Sequence, residues 1–370
     1  MAAGPKAAIS IPPEKKRKIR DGIVVWFESN QRVLPWRIVR TPYRVWICEI
    51  MAQQTRIEAL VPYFEHFMER FPTVQSLADA PLDEVLAAWS GLGYYSRARN
   101  LHKAARRIVD EHGGELPSDL EALRALPGIG AYTAGAIRSM AYDLPAPVVD
   151  GNVLRVLTRL FDIEDDITQS ATRRRLTELA ESLVPEQNPG QYNEGVMEFG
   201  ALICTPRSPK CDVCPVRSVC AAYRKGTVEL RPVRSPKREP VPVTLLAFHI
   251  VDERGRVFLL QNGDAGLFAG LWIPPMIQVQ NAAIGGELYP GIKPGKRIAT
   301  ITHTLTHRKL TVHLHQGTIV ERQPYSGQLK DGKYLEIKQI KQTYGIPTLT
   351  KKILHAAGCS TDKNEEPGKS

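Results

Sequence analysis

Four of the six cysteines fall within seventeen residues, as Cys204-x6-Cys211-x2-Cys214-x5-Cys220. No other feature constrains this chain so tightly, because four thiols on one short loop form a ready coordination shell. Structural zinc sites mostly pair their cysteines as C-x2-C twice, and here only one such pair is present. Two disulfides would need an oxidising compartment, and the N-terminus reads as no secretion signal. An all-cysteine iron–sulfur cluster, [4Fe–4S] in form, is therefore the leading reading, with zinc as its rival on ligand chemistry. Arg207, Lys210 and Arg217 make the loop basic, a surface suited to phosphates. Cys48 and Cys359 stand apart and read as ordinary thiols.

A length of 370 residues leads to an expectation of two domains, and an apolar fraction of 43% is ample for their cores. The net charge of +10 suggests a polyanionic partner, nucleic acid before a membrane surface. A generally basic protein with no such partner is the plain alternative. No apolar run reaches membrane-spanning length, so no membrane association is expected.

Residues 1–12 read as loose, and a helix is expected from the Lys15-Lys16-Arg17-Lys18 run to about Ser29. That basic run could be a nuclear address, or simply a solvated first helical turn. Leu34-Pro35-Trp36-Arg37 breaks the helix. Val45 to Arg56 then reads as one apolar helix on which Glu49, Gln53 and Arg56 share a face. An acid among Ile47, Ile50 and Met51 should feel low polarity, which favours the protonated form and a proton donor. A surface Glu49 paired with Arg56 is the plain alternative. Trp89 to Arg97 joins two helices, and its paired tyrosines could bring an aromatic wedge to a base step or simply pack. Leu126-Pro127-Gly128-Ile129-Gly130-Ala131-Tyr132-Thr133-Ala134 opens another helix. Glycines there leave backbone N–H groups free to cradle a phosphate. Asp150 follows an extended stretch and precedes a helix, where it is either an N-cap or an anion aimed at developing positive charge. Glu194 and Glu198 lie at i, i+4 on the helix leading to the cysteines, and one of them could face a pocket.

Residues 224–242 hold six basic residues, two acidic ones and four prolines, which reads as an extended linker. After it, 243–250 and 257–260 read as strands around a turn, with further strands near 297–304 and 310–319. The tail from Gly358 to Ser370 reads as disordered.

These motifs, in this order and spacing, resemble the helix–hairpin–helix, Gly/Pro…Asp DNA glycosylases with an iron–sulfur loop, and among them the adenine glycosylases of the MutY type. The residues concerned are Leu34–Arg37, Trp46–Arg56, Gly91–Arg97, Leu126–Ala134, Val149–Asn152 and the four cysteines. Gly266–Trp272 and His303–His307 resemble the family's Nudix-related domain. The resemblance implies a multidomain protein: an all-α glycosylase domain over 1–224 with its cluster loop at 204–220, a linker at 225–242, and a Nudix-like α/β domain over 243–357. It implies excision of adenine mispaired with 8-oxoguanine or guanine in double-stranded DNA, by a monomer, with the adenine flipped into a pocket. Glu49 would protonate the base and Asp150 would stabilise the oxocarbenium sugar. Tyr132 and Asn152 would orient Asp150, and Glu194 and Arg37 would bind the base or a water. Gln53, Gln54, Thr55, Arg56, Tyr94, Gly128, Gly130, Thr306 and His307 would meet the DNA. Cys204, Cys211, Cys214 and Cys220 would ligate a [4Fe–4S] cluster. A bacterial cytoplasm with its nucleoid, or a eukaryotic nucleus, would be the place of action.

Three departures from the family pattern stand out. Ala52 is smaller than the residue usual at its position. Leu305-Thr306-His307 replaces a Phe-Ser-His, keeping the hydroxyl and the imidazole. Trp272-Ile273-Pro274-Pro275 lacks a following acid, and with no Glu-rich Nudix box the second domain is expected to bind without hydrolysing nucleotides. Where strand-cutting relatives carry a Schiff-base lysine, this chain has Tyr132, so a monofunctional enzyme is expected. The rival functions are an oxidised-pyrimidine glycosylase with lyase activity and a non-catalytic DNA sensor using its cluster for electron transfer.

Overall fold

A computed structural model describes residues 9–236, 239–263, 266–279, 289–320 and 329–359. In chain order the helices are α1 (Pro13–Asn30), α2 (Pro35–Ile38), α3 (Pro42–Ala52), α4 (Ile57–Arg70), α5 (Val74–Asp79), α6 (Leu82–Ala88), α7 (Ser96–His112), α8 (Leu120–Ala125), α9 (Ala131–Ala136), α10 (Gly151–Phe161), α11 (Ser170–Leu183), α12 (Pro189–Leu202) and α13 (Ala221–Lys225). There follow β1 (Val241–His249), β2 (Val257–Gln261), β3 (Trp272–Ile273), β4 (Met276–Val279), β5 (Ile292–Thr304), β6 (Arg308–Ile319), β7 (Gly332–Leu335), α14 (Ile337–Thr343) and α15 (Thr348–Ala356). The expected loose start and disordered tail lie outside the described residues for 1–8 and 360–370.

The chain forms two compact units. The first takes the described residues up to Met68, then Thr73–Gln75 and Lys103–Pro236. The second takes Glu69–Pro72, Ser76–His102 and the described residues after Pro236. The part of the expected linker up to Pro236 thus falls in the first unit. Arg231 is only 6% exposed and pairs with Asp162 at 2.8 Å and Glu164 at 2.7 Å, and Ile167 N–H donates to Val233 O. Proline and basic charge made this stretch read as solvated, but Lys225 and Arg231 are ion-paired on the first unit.

Helix α10 is the axis of that unit. Every residue from Val153 to Leu160 is buried, the polar Arg155, Thr158 and Arg159 among them. It packs on Ile19 and Ile23 of α1, Leu176 and Leu179 of α11, and Val196 and Phe199 of α12, with Val216 and Cys220 of the cysteine loop closing the same core. Helix α9 approaches the extended stretch before α10 through Gly135, where an added Cβ would stand 2.3 Å from the Pro147 carbonyl oxygen. Gly135→Ala is expected to cost about 1–3 kcal/mol by forcing α9 off that strand. A lower urea midpoint would show it.

In the second unit, one sheet runs β4-β1-β6-β5 and the other β3-β2-β7. Strand β1 pairs in parallel with β6, with Leu246 opposite His313, and antiparallel with β4. Its Leu246 and Phe248 enter one apolar cluster, while Leu245 and Ala247 enter another. A strand buried on both faces reads as a continuous apolar run, as this one does. Although 243–250 and 257–260 are neighbours in sequence, the strands they form, β1 and β2, belong to different sheets.

Candidate active site

Helix α3 starts at a Thr41 cap that accepts the Arg44 N–H, with Pro42 in the first turn. It stops at Ala52, short of the expected Arg56, and Gln54 has a left-handed φ of 61°. Arg56 thus leaves the face of Glu49 and lies exposed. Glu49 is 8% exposed, between Cys48 and Ile50 in the apolar part of the helix. The Tyr132 hydroxyl donates to Glu49 Oε2 at 2.6 Å, so the phenol expected on Asp150 serves Glu49 instead. Burial pushes the Glu49 carboxyl up to about 7, helped by the nearby Glu194 and Asp150 charges and opposed by the Tyr132 bond and Arg37. The phenol itself is held well above its ordinary range by burial and by the Glu49 and Asp150 charges, so it remains a donor.

Asp150 is the N-cap of α10, and its second oxygen is also engaged. Oδ1 caps α10 by accepting the Val153 N–H at 2.7 Å, while Oδ2 accepts Asn152 Nδ2 at 2.8 Å. Burial raises its carboxyl above the ordinary value of 3.8, and those two bonds oppose the rise. Asn152 is held in turn, because Arg155 Nη2 donates to its Oδ1 at 2.9 Å. The same guanidinium reaches the Gly200 and Cys204 carbonyls, both at 2.7 Å. Asp150 is thereby tied through Asn152 and Arg155 to the first cysteine of the loop.

Glu49, Tyr132, Asp150, Asn152, Glu194 and Arg37 line one cavity of about 190 Å³, together with Ala52 and Glu198. Glu194 and Glu198 are both buried there and are neutralised by arginines. Arg37 Nε lies 3.2 Å from Glu194, and Arg40 Nη2 lies 2.6 Å from it. Glu198 accepts from Arg32 Nε at 2.8 Å and from Arg37 at 3.3 Å. Burial alone would raise the Glu198 carboxyl, but the two guanidiniums pull it down to about 2. Arg32, Arg40 and Arg155 were not singled out in the sequence. Arg32 and Arg40 flank Leu-Pro-Trp-Arg with no periodic signal, whereas Arg155 was visible, with Arg159, as one of two cations among the apolar residues of α10.

The candidate DNA contacts divide between the units. In the first, Gly128 (φ 81°) and Gly130 sit exposed on a turn anchored by buried Leu126 and Ile129. Only a glycine adopts the Gly128 conformation without strain. Gln54 is exposed, and Gln53 Nε2 reaches Thr133 Oγ1 at 3.5 Å beside half-buried Thr55. In the second unit, Tyr94 is 44% exposed at a φ of 47°, after Gly91 and Gly93, also at positive φ. Arg97 supports it: the guanidinium lies 5.2 Å from the Trp89 ring and 5.5 Å from the Tyr94 ring. Tyr94 and Thr306 share a hydroxyl–hydroxyl hydrogen bond. Thr306 and His307 are exposed at the β5–β6 turn, which Leu305 anchors by packing on the core.

Cys204, Cys211, Cys214 and Cys220 line an apolar cavity of about 30 Å³. Among the described residues no three His, Cys, Asp or Glu side chains close tightly enough to grip a single ion. Burial and the neighbouring sulfurs push the Cys214 thiol up to about 12, and those of Cys211 and Cys220 upward. Such a site favours thiolates only when a cationic metal core faces them, which fits a cluster.

Residues 47–182 match the family of HhH-GPD superfamily base excision DNA repair proteins. Residues 204–220 match the iron–sulfur binding domain of endonuclease III, and 246–356 a NUDIX domain. The adenine DNA glycosylase of Rattus norvegicus is 33% identical over 396 residues, covering 90% of this chain and 77% of that protein. That of Buchnera aphidicola from Schizaphis graminum is 34% identical over 336 residues, covering 90% and 96%. The structure of a thermostable thymine-DNA glycosylase aligns with a TM-score of 0.52 at 30% identity, over 57% of this chain and 98% of that one. The chain therefore belongs to the adenine DNA glycosylases, enzymes of base excision repair, and carries a [4Fe–4S] cluster.

Proposed function

We propose that the enzyme excises adenine paired with 8-oxoguanine, or with guanine, by acid-assisted cleavage of the N-glycosidic bond. The observation that carries this reading is the meeting, on one cavity, of a buried Glu49 whose carboxyl is pushed up to about 7 and a capped Asp150. The extruded adenine enters that cavity. Glu49 gives its proton to a ring nitrogen as the C1′–N9 bond breaks and its electron pair leaves with the base. Asp150 stabilises the oxocarbenium sugar. Water then adds to C1′, and the Glu49 carboxylate takes its proton. Asn152 holds Asp150 in place, and Tyr132 holds Glu49. Glu194 and Arg37, ion-paired, contact the base or the water.

A phenol at 132 forms no Schiff base, which supports base removal without strand cleavage. Gly128, Gly130 and the Gln53–Arg56 segment grip the DNA backbone and the vacated stack. Tyr94, Thr306 and His307 of the second unit read the opposite base, and that unit hydrolyses no nucleotide. The four cysteines give one thiolate each to the cluster, which braces the loop and its basic residues. We take the working form to be a monomer acting at a nucleoid or in a nucleus. Among the described residues no helix is long and apolar enough to cross a membrane.

Single-turnover release from duplexes carrying adenine opposite 8-oxoguanine, guanine or cytosine tests the reading. Release should be fastest opposite 8-oxoguanine, with the strand intact until alkali is added. Thr306→Ala should narrow the 8-oxoguanine preference by about 5-fold, the worth of one hydrogen bond of roughly 1 kcal/mol. Equal rates on all three duplexes, or a covalent adduct trapped by borohydride, would contradict it.

A further inference from the structure

Helix α10 carries two buried arginines one turn apart, and only Arg155 leads toward the catalytic cavity. Arg159 faces the cysteine loop. The residue is 2% exposed. Nε donates to the carbonyls of Val228 at 3.0 Å and Arg231 at 3.2 Å. The other nitrogens reach the carbonyls of Cys204 at 3.4 Å, Thr205 at 2.7 Å and Pro206 at 3.3 Å. Nη1 also lies 3.4 Å from the Cys204 sulfur. Asp162, at the end of the same helix, is engaged by Arg231 at 2.8 Å and Lys225 at 3.0 Å. Among the described residues, then, carbonyl dipoles and one sulfur surround Arg159, with no carboxylate in ion-pair contact.

A guanidinium taken this far from water needs an opposite charge nearby, and dipoles alone serve poorly. Four thiolates outweigh the positive charge of an oxidised iron–sulfur core, so a loaded loop is an anion. We infer that Arg159 is the built-in counter-ion of the cluster and, through its N–H···S contact with Cys204, raises the reduction potential of the cluster. A positive charge and a hydrogen bond to a ligand sulfur both favour the form holding the extra electron. The inference rests on the four cysteines being the ligands, a reading that would fail separately if the wild-type protein held no iron.

The test compares Arg159→Lys with Arg159→Met in the full-length holoenzyme. Voltammetry on an electrode reads the potential. Bleaching of the visible cluster absorbance by an iron chelator reads cluster retention. The potential should fall in Arg159→Met and stay near wild type in Arg159→Lys, which keeps the charge. Loss to chelator should quicken about 10-fold or more in the Met variant. A purely mechanical clamp on the loop carbonyls predicts that both variants lose cluster equally while the potential stays unchanged, and that result would overturn the inference. A Lys variant that assembles no cluster would overturn it too, since charge would then not suffice. Assembly by Lys but not by Met would uphold it.

Discussion

Glu49→Gln should lower the single-turnover rate of adenine release by about 10²–10⁴-fold, the usual contribution of a positioned general acid. Duplex binding should stay the same, because glutamine keeps the volume and still accepts the Tyr132 hydroxyl. The same variant should be no less stable than wild type at alkaline pH, and here the sign is informative. The Glu49 carboxyl rises from an ordinary 4.5 to about 7 in the folded protein. Between those values the folded state holds more protons than the unfolded state, so stability falls as pH rises through the window. Above it, the ionised buried acid costs up to about 3 kcal/mol, and glutamine removes that cost. A thermal midpoint above pH 8 that is unchanged or higher, together with lost activity, would mark a residue kept for chemistry at the expense of stability. A lower midpoint with normal release would deny Glu49 its role.

Asp150→Asn should be nearly as damaging to the rate, by about 10²–10³-fold, while leaving the fold intact. Asparagine is as good a helix cap as aspartate, so the bond to the Val153 N–H survives, while the charge and the acceptor for Asn152 Nδ2 are lost. Asp150→Ala would remove the cap as well, and should add a stability loss of about 1 kcal/mol. The contrast separates the two jobs that one carboxylate performs. A denaturant midpoint for Asp150→Asn closer to wild type than that of Asp150→Ala, with release nearly abolished in both, is the expected pair of results. Full activity in Asp150→Asn would show that the cap alone matters.

What could be read before the structure was mostly local. The Asp150 cap, the glycine turn at 128–130 and the crowded cysteines each follow from neighbours in sequence, where the physics is short-range. The end of α3 did not follow, since Gln53-Gln54-Thr55 holds no glycine or proline and a left-handed glutamine leaves no sequence trace. Arg32, Arg37 and Arg40 find Glu194 and Glu198 across more than 150 residues, and no local pattern encodes such pairing. Tyr132 was visible as a replacement for a lysine, but whether it would face Glu49 or Asp150 depended on how α9 crosses α3. The pairing of Arg231 has the same origin. Arg231 reads as solvated until Asp162, at the far end of α10, is placed beside it.

The central claim is that one buried carboxyl keeps a proton to give up to near neutrality while a second, in the same cavity, works as the anion. The pH dependence of single-turnover adenine release, followed from about pH 5 to 9, tests this most directly. The wild-type rate should fall on the alkaline side with a midpoint near 7, set by Glu49, and should fall in acid where Asp150 gains a proton. Glu49→Gln should retain only a flat residual rate across the alkaline range. A wild-type rate that keeps rising above neutrality, or an alkaline limb that persists unchanged in Glu49→Gln, would contradict the account.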